Sequence, residues 1–182
     1  MKKFLNTRSI AFTAVAAALA FLLQLIGSIV GLKVGGFLEI ELSDLPPLIV
    51  AFAYGPLAGV AAELLKNLLH CGFTSTGFVG EFANFVVNGI FVFCAGIVYK
   101  HNCTRKGALI GMTVGVFAIT LAGILSNLFI MLPLYMPAAD FNTRLSIVIK
   151  LITPFNFCKG IAISLLTYVL YKRLSPLLKK NQ

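Results

Sequence analysis

Six apolar runs, at roughly 9–32, 44–54, 56–71, 79–99, 107–135 and 145–171, take up most of this chain. Hydrocarbon offers no partner to a backbone N–H or C=O, so a run that enters a bilayer must satisfy its own backbone. Continuous apolar runs of this length do that as helices. Composition agrees, with 59% hydrophobic and only 12% charged residues, about half the charged share of a soluble domain. Little lies between the runs. The chain therefore reads as a single membrane domain over residues 1–182, an all-α integral membrane protein.

The second run poses the only counting problem. Eleven residues of helix rise about 16 Å, against a hydrocarbon core of about 30 Å. Residues 44–71 could form one kinked span or a hairpin bent at Gly55-Pro56. Charge favours the hairpin. Six spans put both termini and the 100–106 loop on one side, with Lys2, Lys3, Arg8, Lys100, Arg105, Lys106, Lys172, Arg173, Lys179 and Lys180. Five spans would strand two of these clusters outside, against the positive-inside rule. Six transmembrane helices with cytoplasmic N- and C-termini are expected.

Several function classes drop out. The net charge of +9 comes from basic residues scattered at the ends of apolar runs, with no basic patch interleaved with aromatics, so nucleic acid is not a partner. Cys71, Cys94, Cys103 and Cys158 show neither CxxC nor metal-ligand spacing, and His70 and His101 sit singly at helix ends. The N-terminus has the basic start of a secretory signal, but its apolar run is too long for a cleavable core and reads as a retained span. No paired nucleophile and base appears.

Five of the six acidic residues fall between Leu38 and Asn88. Glu63, Lys66 and Asn67 lie in one apolar run, and Glu81, Asn84 and Asn88 in the next. A charge at bilayer depth is costly, so such residues face the bundle interior and mark a ligand or ion path. Glu63 and Lys66, three apart, could instead serve only each other. Asp44, just before Pro46, reads as the cap of the second helix.

In the six-span topology Lys66, Asn67, Glu81 and Asn84 lie near external helix ends. Asn127 lies about two turns below the end of the fifth helix, and Asn156 and Lys159 follow Pro154 in the sixth. The inner halves are nearly free of polar side chains. A chamber open outward and closed below is expected, with the 33–43 loop long enough to fold over it. Pro154 would kink its helix, presenting Asn156 and Lys159 to a ligand or merely suiting the packing. Lys159 needs Glu63, Glu81 or a ligand carbonyl as partner. Asn and Lys among Phe, Leu and Ile suit a flat, mostly apolar ligand with one amide-like edge.

Five segments carry a family resemblance: EIELSDLPPLI at Glu39–Ile49, GPLAGVAAELLKNLLH at Gly55–His70, TSTGFVGEFANF at Thr74–Phe85, SNLFIMLPLY at Ser126–Tyr135, and TPFNFCKGIAISLLTYVLYKRLSPLL at Thr153–Leu178. Together they resemble the riboflavin-specific substrate-binding S component of energy-coupling-factor (ECF) vitamin transporters. The resemblance implies six helices in a bacterial cell membrane, an external pocket lidded by the first loop, and riboflavin bound as substrate, without catalysis and without a cofactor. Position by position it makes Asn127, Asn156 and Lys159 flavin contacts. It brings the first loop in through Leu38, Glu39 and Ile40, with Glu39 facing the ribityl hydroxyls. Glu63, Lys66, Asn67, Glu81 and Asn84 are family-like as well; they suit bracing, and Asn84 is also a candidate contact.

No G-x-x-x-x-G-K-[ST] occurs in the chain, so energy must come from partners or an ion gradient. The family implies a transmembrane coupling subunit and two ATPase subunits. Ala14 and Ala18 on the first helix, with Ala16 and Ala20 as a second register, form small-xxx-small faces that permit close helix approach in lipid. The resemblance makes Ala14 and Ala18 the docking face. An S component for another vitamin, or a solitary ion-coupled carrier using Glu63 and Glu81, are the competing readings.

Overall fold

The computed structural model describes residues 6–30, 33–34, 38–39, 41–74 and 78–180, with side chains followed to Tyr171. Helix α1 spans Thr7–Val30 and is followed by a two-residue antiparallel pair, β1 (Lys33–Val34) and β2 (Leu38–Glu39), in register Lys33 to Glu39. Then come α2 (Leu45–Tyr54), α3 (Pro56–His70), α4 (Val79–His101) and α5 (Arg105–Ser126). A π turn, Asn127–Met131, carries α5 into α6 (Leu132–Tyr135). The last rod is α7 (Phe141–Ile147), a second π turn at Val148–Ile152, and α8 (Thr153–Lys180). Among the described residues four stretches are long and apolar enough to cross a membrane: Thr7–Val30, Val79–His101, Arg105–Tyr135 and Phe141–Tyr171.

The short second run is a hairpin arm. Gly55 has φ 102° and ψ 165°, a conformation open essentially to glycine alone, and Pro56 starts α3 at its first position, where no N–H is missed. Residues equidistant from Gly55 then meet. A Cβ on Gly59 would lie 2.6 Å from that of Ala51, and Asp44 reaches Lys66 at 2.7 Å. Thus α2 runs antiparallel to α3, giving six helical passes among the described residues.

Aromatic contacts fix one end of the bundle. Phe12 stacks near Tyr54, Phe52 near Tyr99, and the Tyr99 and Tyr171 hydroxyls are 2.9 Å apart. The start of α1, the α2–α3 turn, the end of α4 and α8 around Tyr171 share this tyrosine end. Above it Leu48, Phe91, Val92, Ile119 and Ile163 form a dry core. Lipid gives helices no hydrophobic drive to associate, so close contact must do the work. Gly111 and Gly115 supply it: a Cβ there would lie 2.7 Å from Ala95 O and 2.8 Å from the Phe91 ring, respectively. Only hydrogen at these positions lets α5 lie on α4.

Candidate functional site: a buried ion and amide cluster

The opposite end holds the buried charged side chains. Asp44 precedes α2, but its carboxylate makes no cap hydrogen bond. One oxygen takes Lys66 Nζ at 2.7 Å and the other lies 2.9 Å from Lys159 Nζ. Lys66 also pairs with Glu63 at 2.7 Å and donates to Ser43 Oγ at 3.1 Å. Asp44, Glu63 and Lys66 are wholly buried. A buried ammonium this deep needs such partners, since an unpaired one would cost several kcal/mol.

Three sequence expectations are corrected here. Asp44 is an ion-pair hub rather than a helix cap, because its Oδ atoms find two ammoniums that outcompete a backbone N–H. Lys159 pairs with Asp44 and, at 3.4 Å, with Glu41, rather than with Glu63 or Glu81. His70 does not stand alone: its Nδ1 is 3.1 Å from Glu81 Oε1 and its Nε2 3.4 Å from Ser28 Oγ. Glu81 therefore serves a separate junction of α1, α3 and α4. Glu63 and Lys66 do pair with each other.

The two asparagines converge from different rods. Asn127 donates to Gly123 O at 2.8 Å, and Asn156 to Ile152 O at 2.9 Å. A Cβ on Gly123 would lie 2.6 Å from Asn156 Nδ2, so only glycine admits that side chain. Each asparagine keeps one amide N–H, and neither Oδ1 has a partner among the described residues. Asn127 opens the π turn that precedes Pro133, and Asn156 follows the π turn that precedes Pro154. Proline cannot donate and crowds the carbonyl four residues back, and the wider turn relieves that crowding. Thr153 Oγ1 donates to Val148 O at 2.8 Å within the second π turn.

The first loop comes down onto this region. Leu38 is half-buried against Leu128, Leu132, Val148 and Ile152, the apolar residues of the two π-turn segments. The side chain of Glu39, and Ile40 altogether, lie outside the described residues. Asn84 donates to Glu41 Oε1 at 3.1 Å and accepts from Asn88 at 2.9 Å. Beside them a half-open cavity of about 450 Å³ is lined by Glu41, Leu42, Pro154, Phe155, Lys159 and Ile163, among others. That volume suits a small organic ligand. It borders Lys159 but not Asn127, Asn156 or Asn84. Sequence reasoning passed over Glu41 and Gly123; an acid two residues after Glu39 was legible as a loop acid, but its inward turn was not.

Ala14 and Ala18 are exposed on α1, whereas Ala16, Ala17 and Ala20 are buried against the bundle. The two alanine registers thus face opposite ways.

A family model described as the ECF transporter substrate-specific component matches residues 8–171. The riboflavin transporter RibU of Staphylococcus aureus (strain TCH60) is 36% identical over 148 residues, 79% of this chain and 78% of that protein. The riboflavin transporter FmnP of Bacillus subtilis (strain 168) is 28% identical over 187 residues, 98% of this chain and 97% of that one. A solved S component of a bacterial ECF transporter superposes with a TM-score of 0.80 at 32% identity, covering 94% of this chain and 98% of that chain.

Proposed function

The chain belongs to the substrate-specific components of ECF transporters, and from that membership we propose that it is the riboflavin-binding subunit of an ATP-driven uptake system. It captures riboflavin from outside a bacterial cell membrane and passes it inward with a separate energising module. The reading gains support from relatives named as riboflavin transporters over most of their length. The observation that carries it is the meeting of Asn127 and Asn156 at Gly123, with Lys159 three residues on from Asn156. The pyrimidine edge of a flavin alternates C=O, N–H and C=O. Amide oxygens and N–H groups from the asparagines, with the Lys159 ammonium, complement that edge. The dimethylbenzene end suits the apolar walls formed by Leu38, Leu128 and Ile152. Glu39 and Ile40 of the first loop, with Asn84, complete the proposed contacts to the ribityl chain.

By the positive-inside rule the tyrosine end, with the 100–106 loop, faces the cytoplasm, so the ion and amide cluster faces out. Beneath that cluster the Phe91 and Tyr99 layer closes the path, which suits a binding subunit that must be turned over by partners. A transmembrane coupling subunit docks on the exposed Ala14–Ala18 face of α1, and two ATPase subunits supply the energy. The test is the absorption spectrum of the purified chain. A flavin spectrum, either as isolated or after riboflavin is added and excess removed, is expected. A protein that retains no riboflavin defeats the assignment.

A further inference from the structure

One oxygen, Glu41 Oε1, engages two of the residues assigned above to the ligand. Asn84 Nδ2 donates to it at 3.1 Å, and Lys159 Nζ lies 3.4 Å from it. Glu41 belongs to the segment that leads from β2 into α2, and it is only 5% exposed. With Lys159 it lines the cavity beside α8. Its second oxygen, Oε2, is buried without a hydrogen-bond partner among the described residues.

Both donors stay in place without Glu41. Lys159 keeps its shorter pair with Asp44 at 2.9 Å, and Asn84 stays held through its Oδ1, which accepts from Asn88 at 2.9 Å, so that its Nδ2 is left to a ligand oxygen. Glu41 itself is poorly rewarded, because one of its buried oxygens goes unsatisfied and a half-paired carboxylate recovers hydration on leaving. An incoming ligand oxygen could therefore replace Glu41 Oε1 without dismantling the donors.

We infer that Glu41 is a placeholder: its Oε1 holds Asn84 and Lys159 as a ligand oxygen would, and riboflavin must displace it to bind. Glu41 is thus an affinity-setting residue. The inference rests on the riboflavin reading above.

Affinity is reduced by the fraction of molecules unable to bind, so a contact closed in about 90% of molecules weakens apparent affinity about tenfold. Riboflavin titration of the purified full chain, followed by quenching of flavin fluorescence, reads this directly. Glu41→Ala should bind riboflavin about three- to tenfold more tightly, with faster association. Glu41→Gln, which keeps an acceptor for Asn84 but drops the attraction to Lys159, should show a smaller gain. A gain is not what structural damage produces. If wild type binds riboflavin and both variants, with unfolding temperatures like wild type, bind equally or more weakly, the placeholder role is overturned alone. Should the alanine variant fail to fold, the glutamine variant decides by the same criterion. If wild type ignores riboflavin, this inference falls together with the riboflavin reading.

Discussion

Asp44 shows how far a single side chain can depart from its local signal. An Asp before Leu-Pro-Pro has the features of a helix cap, and nothing within a few residues distinguishes a carboxylate turned to its own backbone from one turned inward. The difference is made by Lys66, 22 residues on, and by Lys159 on the last helix. Since Asp44 joins α3 and α8, its loss takes the shared carboxylate from two buried ammoniums, leaving Lys66 to Glu63 and Lys159 to the more distant Glu41. Asp44→Asn should lower stability by about 3–5 kcal/mol, the range for breaking a buried pair on one side. Thermal unfolding in detergent measures it, and a wild-type unfolding temperature would show that Lys66 and Lys159 need only Glu63 and Glu41. The candidate binding residues were easier to read than their partners. Asn127, Asn156 and Lys159 stand out as polar groups in apolar runs, which is a local signal. That Lys159 chooses Asp44, or that Asn156 lies over Gly123, depends on how distant helices are juxtaposed, and a glycine in an apolar run carries no mark of which face is occupied.

At the level of elements, the hairpin was legible because charge and breaker residues agreed. Gly55-Pro56 marks a stop and a start, and the basic loops demand an even number of crossings. The π turns were not legible. Pro133 and Pro154 announce an interruption, but the helix continues through each with one wider turn. The β1–β2 pair was missed for a different reason: two residues per strand leave no period to detect. Gly55 isolates the backbone contribution to the hairpin cleanly, because a Cβ there would meet nothing within 4 Å. Gly55→Ala should therefore destabilise only through its strained φ and ψ, by about 1–3 kcal/mol. Gly59→Ala, which drives a methyl into Ala51 and Val92, should be worse. Comparing the two unfolding temperatures checks this; equal losses would mean that the backbone strain at position 55 costs as much as the clash at position 59.

At the scale of the whole molecule, a helix that packs inward and also docks a partner, as proposed for α1, must offer two unlike faces, and α1 does. Its inward face is small and polar, with Ser9, Thr13, Ala16, Ala17, Ala20 and Gln24 buried against the bundle. Its outward face sets Ala14 and Ala18 among Ile10, Val15, Leu19 and Leu22, all exposed. Lipid alone does not need small residues there, since a leucine would suit hydrocarbon as well. Two alanines one turn apart instead permit another helix to approach closely. The two registers then separate docking from folding in a single experiment. Ala14→Arg or Ala18→Arg should leave riboflavin binding by the purified chain unchanged and abolish uptake in cells that carry the energising subunits. Ala20→Leu, by contrast, inserts bulk where the methyl is 0% exposed and should lower the unfolding temperature and riboflavin binding together. Normal uptake with arginine at both outward positions would remove this face as the docking surface. Loss of binding in those variants would mean that α1 communicates with the cluster some helical turns away, a coupling that its exposed alanines give no reason to expect.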